Sequence, residues 1–377
     1  MQSKFNRNMC LAAHEILDGK IESKMPSMQT MFEYWAPVFT KDSVVMNRHD
    51  NINVSVSQDL LDLLSPIAIS YVAKTSIPSS SAAGLDGISV KEWAAVPKCM
   101  KAGFFNLILA IGGFPEGLLA SRTVFIPKKN NAEDPSDFRP ITIGSVVVRH
   151  LHKIIASRLI DAGVIDERQR SLEDGCVENT SIIATIIKDS RLHRKELHIT
   201  SIDVEKAFPS VSHFAIFRAL ESRGFPNDFV KFVENMYTKS TTILEVNDES
   251  SANIVVKRGV RQGDPLSSPI FCIVADDLLK AIPEEIGYFM DDCKINATAY
   301  AEDINIITAS SVGMQRALRD LEEEGEKRGL RLNKEKCSSV SVKPAGRVKK
   351  LKIITEAHFR LPPQELLVPF ACRRLKL

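Results

Sequence analysis

The stretch AYAEDINIIT, residues 299–308, places two adjacent carboxylates, Glu302 and Asp303, between two runs that favour β-strands. Adjacent carboxylates repel each other, and each raises the pKa of the other, so such a pair needs a compensating interaction. A solvated hairpin turn is the ordinary explanation, because acidic residues are common in turns. A cation held at the turn is the alternative explanation. The second explanation predicts a further acidic residue nearby.

A third carboxylate, Asp203, ends a β-branched run in HITSIDVEKAFPSVSH, residues 198–213. An acid at the exit of a strand can reach a cation, although residues of this kind more often cap a helix or turn. Asp203 can meet the acid pair if the two strands are neighbours in one sheet. Two Mg²⁺ ions a few ångströms apart need several carboxylate oxygens together with substrate phosphates. The three acids would supply such oxygens.

Between these acids lies KRGVRQGDPLSSPIFCIVADDLL, residues 257–279. Gly263 allows flexible backbone, Asp264 can cap a helix, and Pro265 suits the first helical turn. We therefore expect a glycine-containing loop that leads into a helix. Such a junction alone indicates no function. Its position between Asp203 and the Glu302–Asp303 pair favours a functional role over a purely structural one.

Composition and length describe an ordinary folded protein. The 377 residues are 44% hydrophobic and 25% charged, and the net charge is +2. A chain of this length and hydrophobic content can form one large or two medium hydrophobic cores. Seven cysteines show neither a C-x-x-C pair nor zinc-finger spacing, so we expect reduced intracellular thiols rather than disulfides or structural zinc. The N-terminus has no signal-peptide core, and the most apolar run, residues 104–114, is too short to cross a membrane.

Basic residues crowd into one part of the chain, between residues 128 and 158. Such a run usually forms one solvated face, and it is also typical of a surface that contacts phosphates. The members are Lys128, Lys129, Arg139, Arg149, His150, His152, Lys153 and Arg158.

The pattern of segments changes along the chain. Residues 1–75 show helix-like periodicity without a catalytic cluster, and a loop rich in Ser and Gly at residues 76–89 marks a boundary. Short strands then alternate with helices, and no segment repeats, which favours an α+β fold rather than a doubly wound sheet.

Five segments, in one order, resemble the reverse transcriptase of a non-LTR retrotransposon, especially its site-specific ribosomal-DNA-inserting branch. The resemblance covers about residues 80–345. The segments are RTVFIPKKNNAEDPSDFRPITIGSVVVRHLHKIIASRL (122–159), SIDVEKAF (201–208), GVRQGDPLSSPIF (259–271), YAED (300–303) and GLRLNKEKC (329–337).

The resemblance implies an α+β fold of the right-hand polymerase type, with an antiparallel palm sheet packed on helices. Residues 76–200 would form the fingers and residues 201–345 the palm with the catalytic motifs. Residues 1–75 would form a helical N-terminal extension. Residues 346–377 would form a truncated or divergent tail, with the thumb missing or incomplete.

The resemblance also implies catalytic roles. Asp203, Glu302 and Asp303 would hold two Mg²⁺ ions, with Mn²⁺ as an alternative metal. Lys336 would protonate the leaving group, although Lys334 lies close by in the sequence.

Further residues match the family's contacts with substrate. Lys128 and Arg139 would meet the phosphates of the incoming nucleotide, and their alternative role is to solubilise the surface. Phe208 would pack beneath the sugar and reject a 2′-hydroxyl, and its alternative role is core packing. The residues that would meet the nascent base pair and the template are Gln262, Gly263 and Pro265.

The chain departs from the family pattern at three places. Glu302 stands where the family has Asp, and the extra carbon adds about 1.5 Å of reach. Pro209 stands where an acid is usual after the aromatic residue. The stretch QRSLEDG, residues 169–175, stands where the family has a glutamine-glycine-phenylalanine pattern.

The predicted activity is that of an RNA-directed DNA polymerase, which transfers nucleotides from dNTPs onto a primer 3′-hydroxyl. Its partners would be an RNA template and a DNA primer or target, with no membrane involved. The family implies an intracellular protein, nuclear after synthesis in the cytoplasm. One alternative is a catalytically inactive, truncated remnant that only binds nucleic acid, and another is a maturase or telomerase-like polymerase.

Overall fold

The computed structural model describes residues 24–42, 56–172, 175–345 and 350–356. The helices are α1 (Met28–Thr40), α2 (Ile69–Lys74), α3 (Val90–Ala95), α4 (Lys98–Ile111), α5 (Glu116–Leu119), α6 (Val146–Asp161), α7 (Gly175–His193), α8 (Ala207–Ser210), α9 (His213–Ser222), α10 (Asn227–Thr238), α11 (Ser267–Lys280) and α12 (Ser311–Lys327). Short 3-10 turns lie at Gln58–Leu60 and Pro135–Asp137.

The strands alternate with these helices along the chain. They are β1 (Ala120–Pro127), β2 (Phe138–Ile143), β3 (Leu197–Ile202), β4 (Thr241–Val246), β5 (Glu249–Ser250), β6 (Ile254–Val255), β7 (Tyr288–Met290), β8 (Cys293–Ile295), β9 (Ala297–Tyr300), β10 (Asp303–Thr308), β11 (Ser338–Ala345) and β12 (Lys350–Glu356). The mixed order and the antiparallel sheet of β3, β9 and β10 confirm the expected α+β fold.

The strands that flank the predicted acids lie in one antiparallel sheet, which we call the acid-bearing sheet. Its order is β12-β11-β3-β10-β9. Ile202 at the end of β3 is opposite Ile304 near the start of β10. β3 and the β9–β10 hairpin are therefore direct neighbours, as the sequence required for the acids to meet.

The two faces of the acid-bearing sheet are covered differently. Ile202, Ile304 and Ile306 belong to the main core, which they share with buried residues of α9, α10 and α11. On the opposite face, Ile199 and Ile307 pack against Ile186 of α7. Because side chains alternate along a strand, positions 203 and 303 continue this second face, where Asp303 is exposed.

A second sheet, which we call the β1 sheet, has the order β2-β1-β4-β5, with β6 also paired to β4. β1 is antiparallel to β2 and parallel to β4. Helix α1 packs on this sheet through Met31, Trp35 and Phe39, which form a separate core with Phe125 and Leu244. The sheet joins strands from the ranges predicted as fingers and as palm, and the boundary at residue 200 stays a prediction.

Local signals explain where several helices begin and end. Ser89 and Glu92 form a reciprocal capping box at the start of α3. The Ser310 hydroxyl accepts a hydrogen bond from the Gly313 N–H at the start of α12, at 3.1 Å. After α12 the chain turns at Gly329, whose φ of 78° favours glycine.

The basic run of residues 128–158 does not form one solvated face. Arg149, His150 and His152 are buried on α6, which is buried around most of its circumference. Arg158 donates hydrogen bonds to the main-chain carbonyls of Leu63 and Ser65. Arg149 and His150 also have hydrogen-bond partners inside the protein, as expected because unpaired buried polar groups are costly. His152 is paired through Nδ1, whereas its Nε2 has no partner among the described residues. Lys128, Lys129, Lys153 and Arg139 remain exposed.

Other expectations have mixed outcomes. The five cysteines in the described ranges are free thiols, as expected. Within those ranges, no helix is both long and apolar enough to cross a membrane. Most of the predicted tail, residues 346–349 and 357–377, and much of the predicted N-terminal extension lie outside the described residues.

Candidate active site

Asp203 and Asp303 occupy facing positions on neighbouring strands. The register pairs Ile202 with Ile304, so Asp203 and Asp303 are the next opposed positions. Their side chains lie on the same face of the acid-bearing sheet. Directly opposed like charges destabilise a sheet, so this arrangement favours a cation between the two carboxylates.

The acid pair lies in a tight hairpin, where Tyr300 of β9 pairs with Asp303 of β10. The two residues between them are Ala301 and Glu302. Ala301 has a φ of 51°, in the left-handed region, which costs a residue with a Cβ about 1–2 kcal/mol. Neighbouring hydrogen bonds must therefore hold the turn in this conformation.

Glu302 is half-buried and interacts with both aspartates. Burial raises the pKa of its carboxyl group most, and the charges of Asp303 and Asp203 raise this pKa further. Arg139 acts in the opposite direction and lowers the pKa. Glu302 also contributes to the raised pKa of the buried Cys272 thiol on α11, behind burial and Asp276. The three predicted acids thus form one electrostatically coupled group.

The donor set of this group suits hard divalent ions. Carboxylate oxygens are the preferred ligands of Mg²⁺ and Mn²⁺. In the part of the chain that the structure describes, no three His, Cys, Asp or Glu side chains converge closely enough to enclose a metal ion. The fit therefore rests on the opposed pair Asp203 and Asp303, with substrate phosphates as further ligands.

Near the acids lies a set of basic side chains that interact electrostatically with one another, which we call the cation group: Lys128, Arg139, Lys206 and Lys336. Partial desolvation lowers the pKa of Lys128, and the charges of Lys336, Arg139 and Lys206 lower it further. The Lys128 ammonium also donates a hydrogen bond to the Ser136 carbonyl at 2.8 Å. Repulsion among these cations favours the binding of an anion such as a triphosphate.

The two candidate lysines of the segment 329–337, Lys334 and Lys336, have different partners in the structure. Lys336 lies beside Asp203. Lys334 instead pairs with Glu322 of α12. Of the two lysines, Lys336 is thus the one that lies next to a predicted catalytic acid, and its role as a proton donor stays a prediction.

Lys206 belongs to the site but was not predicted from the sequence. Its ammonium lies 4.1 Å from the ring centre of Tyr34 and 5.5 Å from that of Trp35, both on α1. These cation–π contacts hold the side chain against α1, and its charge lowers the pKa of Lys128. The lysine and the aromatic pair are each visible in the sequence, but their spacing of about 170 residues gives no sign that they meet.

The predicted loop before α11 docks onto β2. The Gln262 carbonyl accepts a hydrogen bond from the Thr142 N–H at 2.7 Å. Gly263 has a φ of 109°, and a Cβ there would lie 3.0 Å from the Thr142 carbonyl oxygen, so glycine is required. Pro265 is half-buried and precedes the first helical turn instead of lying in it, because α11 begins two residues later, at Ser267. The N-cap residue is Leu266, so the expected cap at Asp264 is wrong.

The buried pair Asp264 and His152 holds the same loop in place. The Asp264 carboxylate contacts His152 Nδ1 at 2.7 Å and accepts a hydrogen bond from the Leu266 N–H at 2.9 Å. Burial raises the pKa of Asp264, but His152 and Arg261 outweigh it, so the pKa is lowered overall. Asp264 therefore positions the loop and does not face substrate.

Phe208 packs on the core, and its contact with the sugar stays a prediction. Its ring stacks on Phe271 of α11, and it remains only half-buried. It lies in the short helix α8, five residues after Asp203. One face of the ring thus packs on the core, and an exposed part remains near the acids.

Gln169 is a second residue that the sequence did not single out. Its buried side-chain amide binds both main-chain polar groups of Ala301: Oε1 accepts from the N–H at 2.7 Å, and Nε2 donates to the carbonyl at 3.2 Å. The sequence marks this stretch only as a departure from the family pattern.

A family model described as reverse transcriptase (RNA-dependent DNA polymerase) matches residues 126–356, which contain every strand of the acid-bearing sheet and all three acids. The chain belongs to this family. It is 34% identical over 366 residues to the Pol polyprotein of the type-1 retrotransposable element R2 of Nasonia vitripennis. It is 36% identical over 345 residues to that of the type-2 element R2DM of Drosophila melanogaster.

These relatives confirm the resemblance to non-LTR retrotransposon reverse transcriptases and to the ribosomal-DNA-inserting branch. The alignments cover 97% and 91% of this reverse transcriptase chain. The chain spans about a third of each relative, 35% and 32% of their lengths. A solved structure described as apo telomerase from Candida tropicalis, truncated from its C-terminal domain, has a TM-score of 0.46 and 13% identity, covering 63% of this chain and 53% of that one.

Proposed function

We propose that this reverse transcriptase catalyses RNA-directed DNA polymerisation, in which dNTPs extend a primer 3′-hydroxyl opposite an RNA template. The observation that carries the proposal is the proximity of Asp203, Glu302 and Asp303 to the cation group. Acids that suit divalent ions and cations that suit a triphosphate are the two halves of a nucleotidyl-transfer site.

Phosphoryl transfer needs little covalent chemistry from the protein, so positioning and charge stabilisation are most of the work. The acids would hold Mg²⁺, which when bound activates the primer hydroxyl and neutralises the leaving pyrophosphate. Lys128 and Arg139 bind the incoming phosphates, and the planar guanidinium suits two-point contact. Lys336, next to Asp203, is placed to give a proton to the leaving group.

Substrate selection falls to the aromatic ring and the docked loop. Phe208 would pack beneath the sugar, where its ring would exclude a 2′-hydroxyl. Gln262, Gly263 and Pro265, anchored on β2, meet the nascent base pair and the template. We propose that the RNA–DNA hybrid is held through its backbone and A-form shape, which requires no reading of base sequence.

The test is primer extension on an RNA template with dNTPs and Mg²⁺. The unmodified chain is compared with Glu302→Asp and with Asp203→Ala, each with and without a thumb region supplied from a related R2 element. Extension by the unmodified chain that disappears in Asp203→Ala supports the proposal. Salt-sensitive RNA binding by all three proteins without any nucleotide incorporation would instead support the inactive, nucleic-acid-binding alternative.

A further inference from the structure

A segment outside the predicted site holds the acidic hairpin from the side. We call residues 166–170 the clamp segment. It lies parallel to the outer edge of β9 and forms two main-chain hydrogen bonds with Ala299. The Ala299 N–H donates to the Arg168 carbonyl at 2.8 Å, and the Arg170 N–H donates to the Ala299 carbonyl at 3.0 Å. The hairpin is thus paired on the outer edge of β9 as well as with β10.

Gln169 extends this pairing to the turn itself. Its side chain is only 6% exposed and binds both the N–H and the carbonyl of Ala301. Ala301 is the hairpin residue with the unfavourable left-handed conformation. Because Glu302 and Asp303 follow directly, the orientation of Ala301 sets the direction of both carboxylates.

The clamp segment is fixed to the core at its other end. The Asp166 N–H donates to the carboxylate of Asp276 on α11 at 2.9 Å. Arg168 binds the Asp166 carboxylate through two nitrogens, at 2.8 and 2.7 Å, and contacts Asn296 at 3.0 Å. The Gln169 N–H donates to the Asp166 carbonyl at 2.8 Å. The main chain around Gln169 is therefore held in place by these hydrogen bonds.

We propose that Gln169 is a positioning residue for polymerisation, which holds Ala301 so that Glu302 and Asp303 stay aligned with Asp203. The proposal rests on the proposed function. Without the two hydrogen bonds, Ala301 is free to leave the left-handed region, and the acids move relative to β3. A displacement of about 1 Å at a reacting centre can cost on the order of 100-fold in rate.

The chain supplies a matched control for this role. Asn106 also uses its amide to bind both main-chain groups of one residue, Ile67, at 2.6 and 3.2 Å. It lies on α4, away from the acids. Asn106→Leu and Gln169→Met thus remove the same kind of hydrogen-bond pair at two places.

The experiment measures kcat, the KM for dNTP and the melting temperature of the wild type and both variants. We expect Gln169→Met to lower kcat by about 10- to 100-fold with little change in KM, because substrate contacts are kept. Asn106→Leu should lower only the melting temperature. Equal losses of kcat in the two variants, in proportion to lost stability, would overturn the proposal.

A second measurement separates this proposal from the proposed function. Mn²⁺ affinity is measured by electron paramagnetic resonance, with Asp203→Ala as the variant that lacks the site. If the wild type does not polymerise, the proposed function fails, but a loss of Mn²⁺ affinity of about 10-fold in Gln169→Met and not in Asn106→Leu still supports the positioning role. Equal Mn²⁺ affinities in the wild type and in Gln169→Met would overturn it.

Discussion

Lys336 places its ammonium nitrogen 3.8 Å from Asp203 Oδ2. Two residues earlier, the Lys334 nitrogen lies 2.7 Å from Glu322 Oε1 and is thereby directed away from the acids. The sequence leaves these two lysines equivalent, because they lie in the same segment after α12. Their partners give them different expected effects.

We predict that Lys336→Gln lowers the rate of nucleotide addition by about 10- to 100-fold, because a positioned proton donor contributes at least that much. Lys334→Gln, which removes the same charge, should stay within about twofold of the wild type, since exposed ion pairs contribute little. Single-turnover extension measures both rates. The assignment is wrong if the two variants are equally impaired.

The opposed aspartates Asp203 and Asp303 are expected to be needed for catalysis and to lower the stability of the metal-free protein. Asp203→Asn or Asp303→Asn should lower extension by about 100-fold or more and raise the melting temperature in metal-free buffer, because each relieves repulsion across β3 and β10. Glu249→Gln, an exposed change on β5, should alter neither. Thermal melts with and without Mg²⁺ check the prediction, and a fall in metal-free stability in both variants would contradict it.

Glu302 should make metal-free stability depend on pH. The pKa of its carboxyl group is raised in the folded state above the usual 4.5, so the folded state binds the proton more tightly. Stability should therefore fall as pH rises from 4.5 through the folded pKa, and Glu302→Gln should remove this part of the fall. The difference between the two proteins is measured by urea unfolding at several pH values. A difference that does not grow with pH would refute this expectation.

Asp276, which anchors the clamp segment, is predicted to show a larger effect of the same sign. Burial raises the pKa of its carboxyl group to about 7, against the partly compensating charge of Arg223. Between pH 3.8 and about 7 the folded state keeps a proton that the unfolded state releases, so stability falls as pH rises.

Asp276→Asn keeps an acceptor for the Asp166 N–H and removes the charge. We expect this variant to match the wild type near pH 4 and to be more stable near pH 8, by at most about 4 kcal/mol. Denaturant unfolding at the two pH values measures the gain. Unchanged stability at pH 8 would show that Asp276 carries no such cost.

Phe208 is expected to affect both folding and sugar choice. Its ring centre lies 4.6 Å from that of Phe271, with the planes 11° apart, so Phe208→Ala should cost about 2–3 kcal/mol of stability. It should also increase ribonucleotide incorporation. Phe271→Leu removes the same stacking from the buried side and should cost stability without changing the ratio of dNTP to rNTP use. An unchanged ratio in Phe208→Ala would leave only the packing role.

The sequence predicted the elements whose signals are local. The β-branched run before Asp203, the strand after Asp303 and the Gly-containing loop before α11 are all where the residue patterns placed them. The sequence left open whether the strands that carry the acids are neighbours, and the structure pairs β3 with β10. These features need only short stretches of sequence to define them.

The contacts that the sequence did not predict join distant residues. Gln169 and Ala301 are 132 positions apart, and nothing in either stretch marks them as partners. The basic run of residues 128–158 did not form the single solvated face that is usual for such a run, for a related reason. His152 is buried because it meets Asp264, 112 positions later, and charge counting along the chain does not detect such pairs.

The parallel pairing of β1 with β4 has a consequence for how the protein folds. Ser121 of β1 binds the carbonyl of Thr241, 120 positions later. Contacts of such long range form slowly, because loop closure must precede them. At a synthesis rate of about 5–20 residues per second, β1 leaves the ribosome roughly 6–24 s before β4. During that interval the edge of β1 that later pairs with β4 has unpaired N–H and carbonyl groups, which can pair with other chains and lead to aggregation. We therefore expect the nascent chain to depend on chaperones.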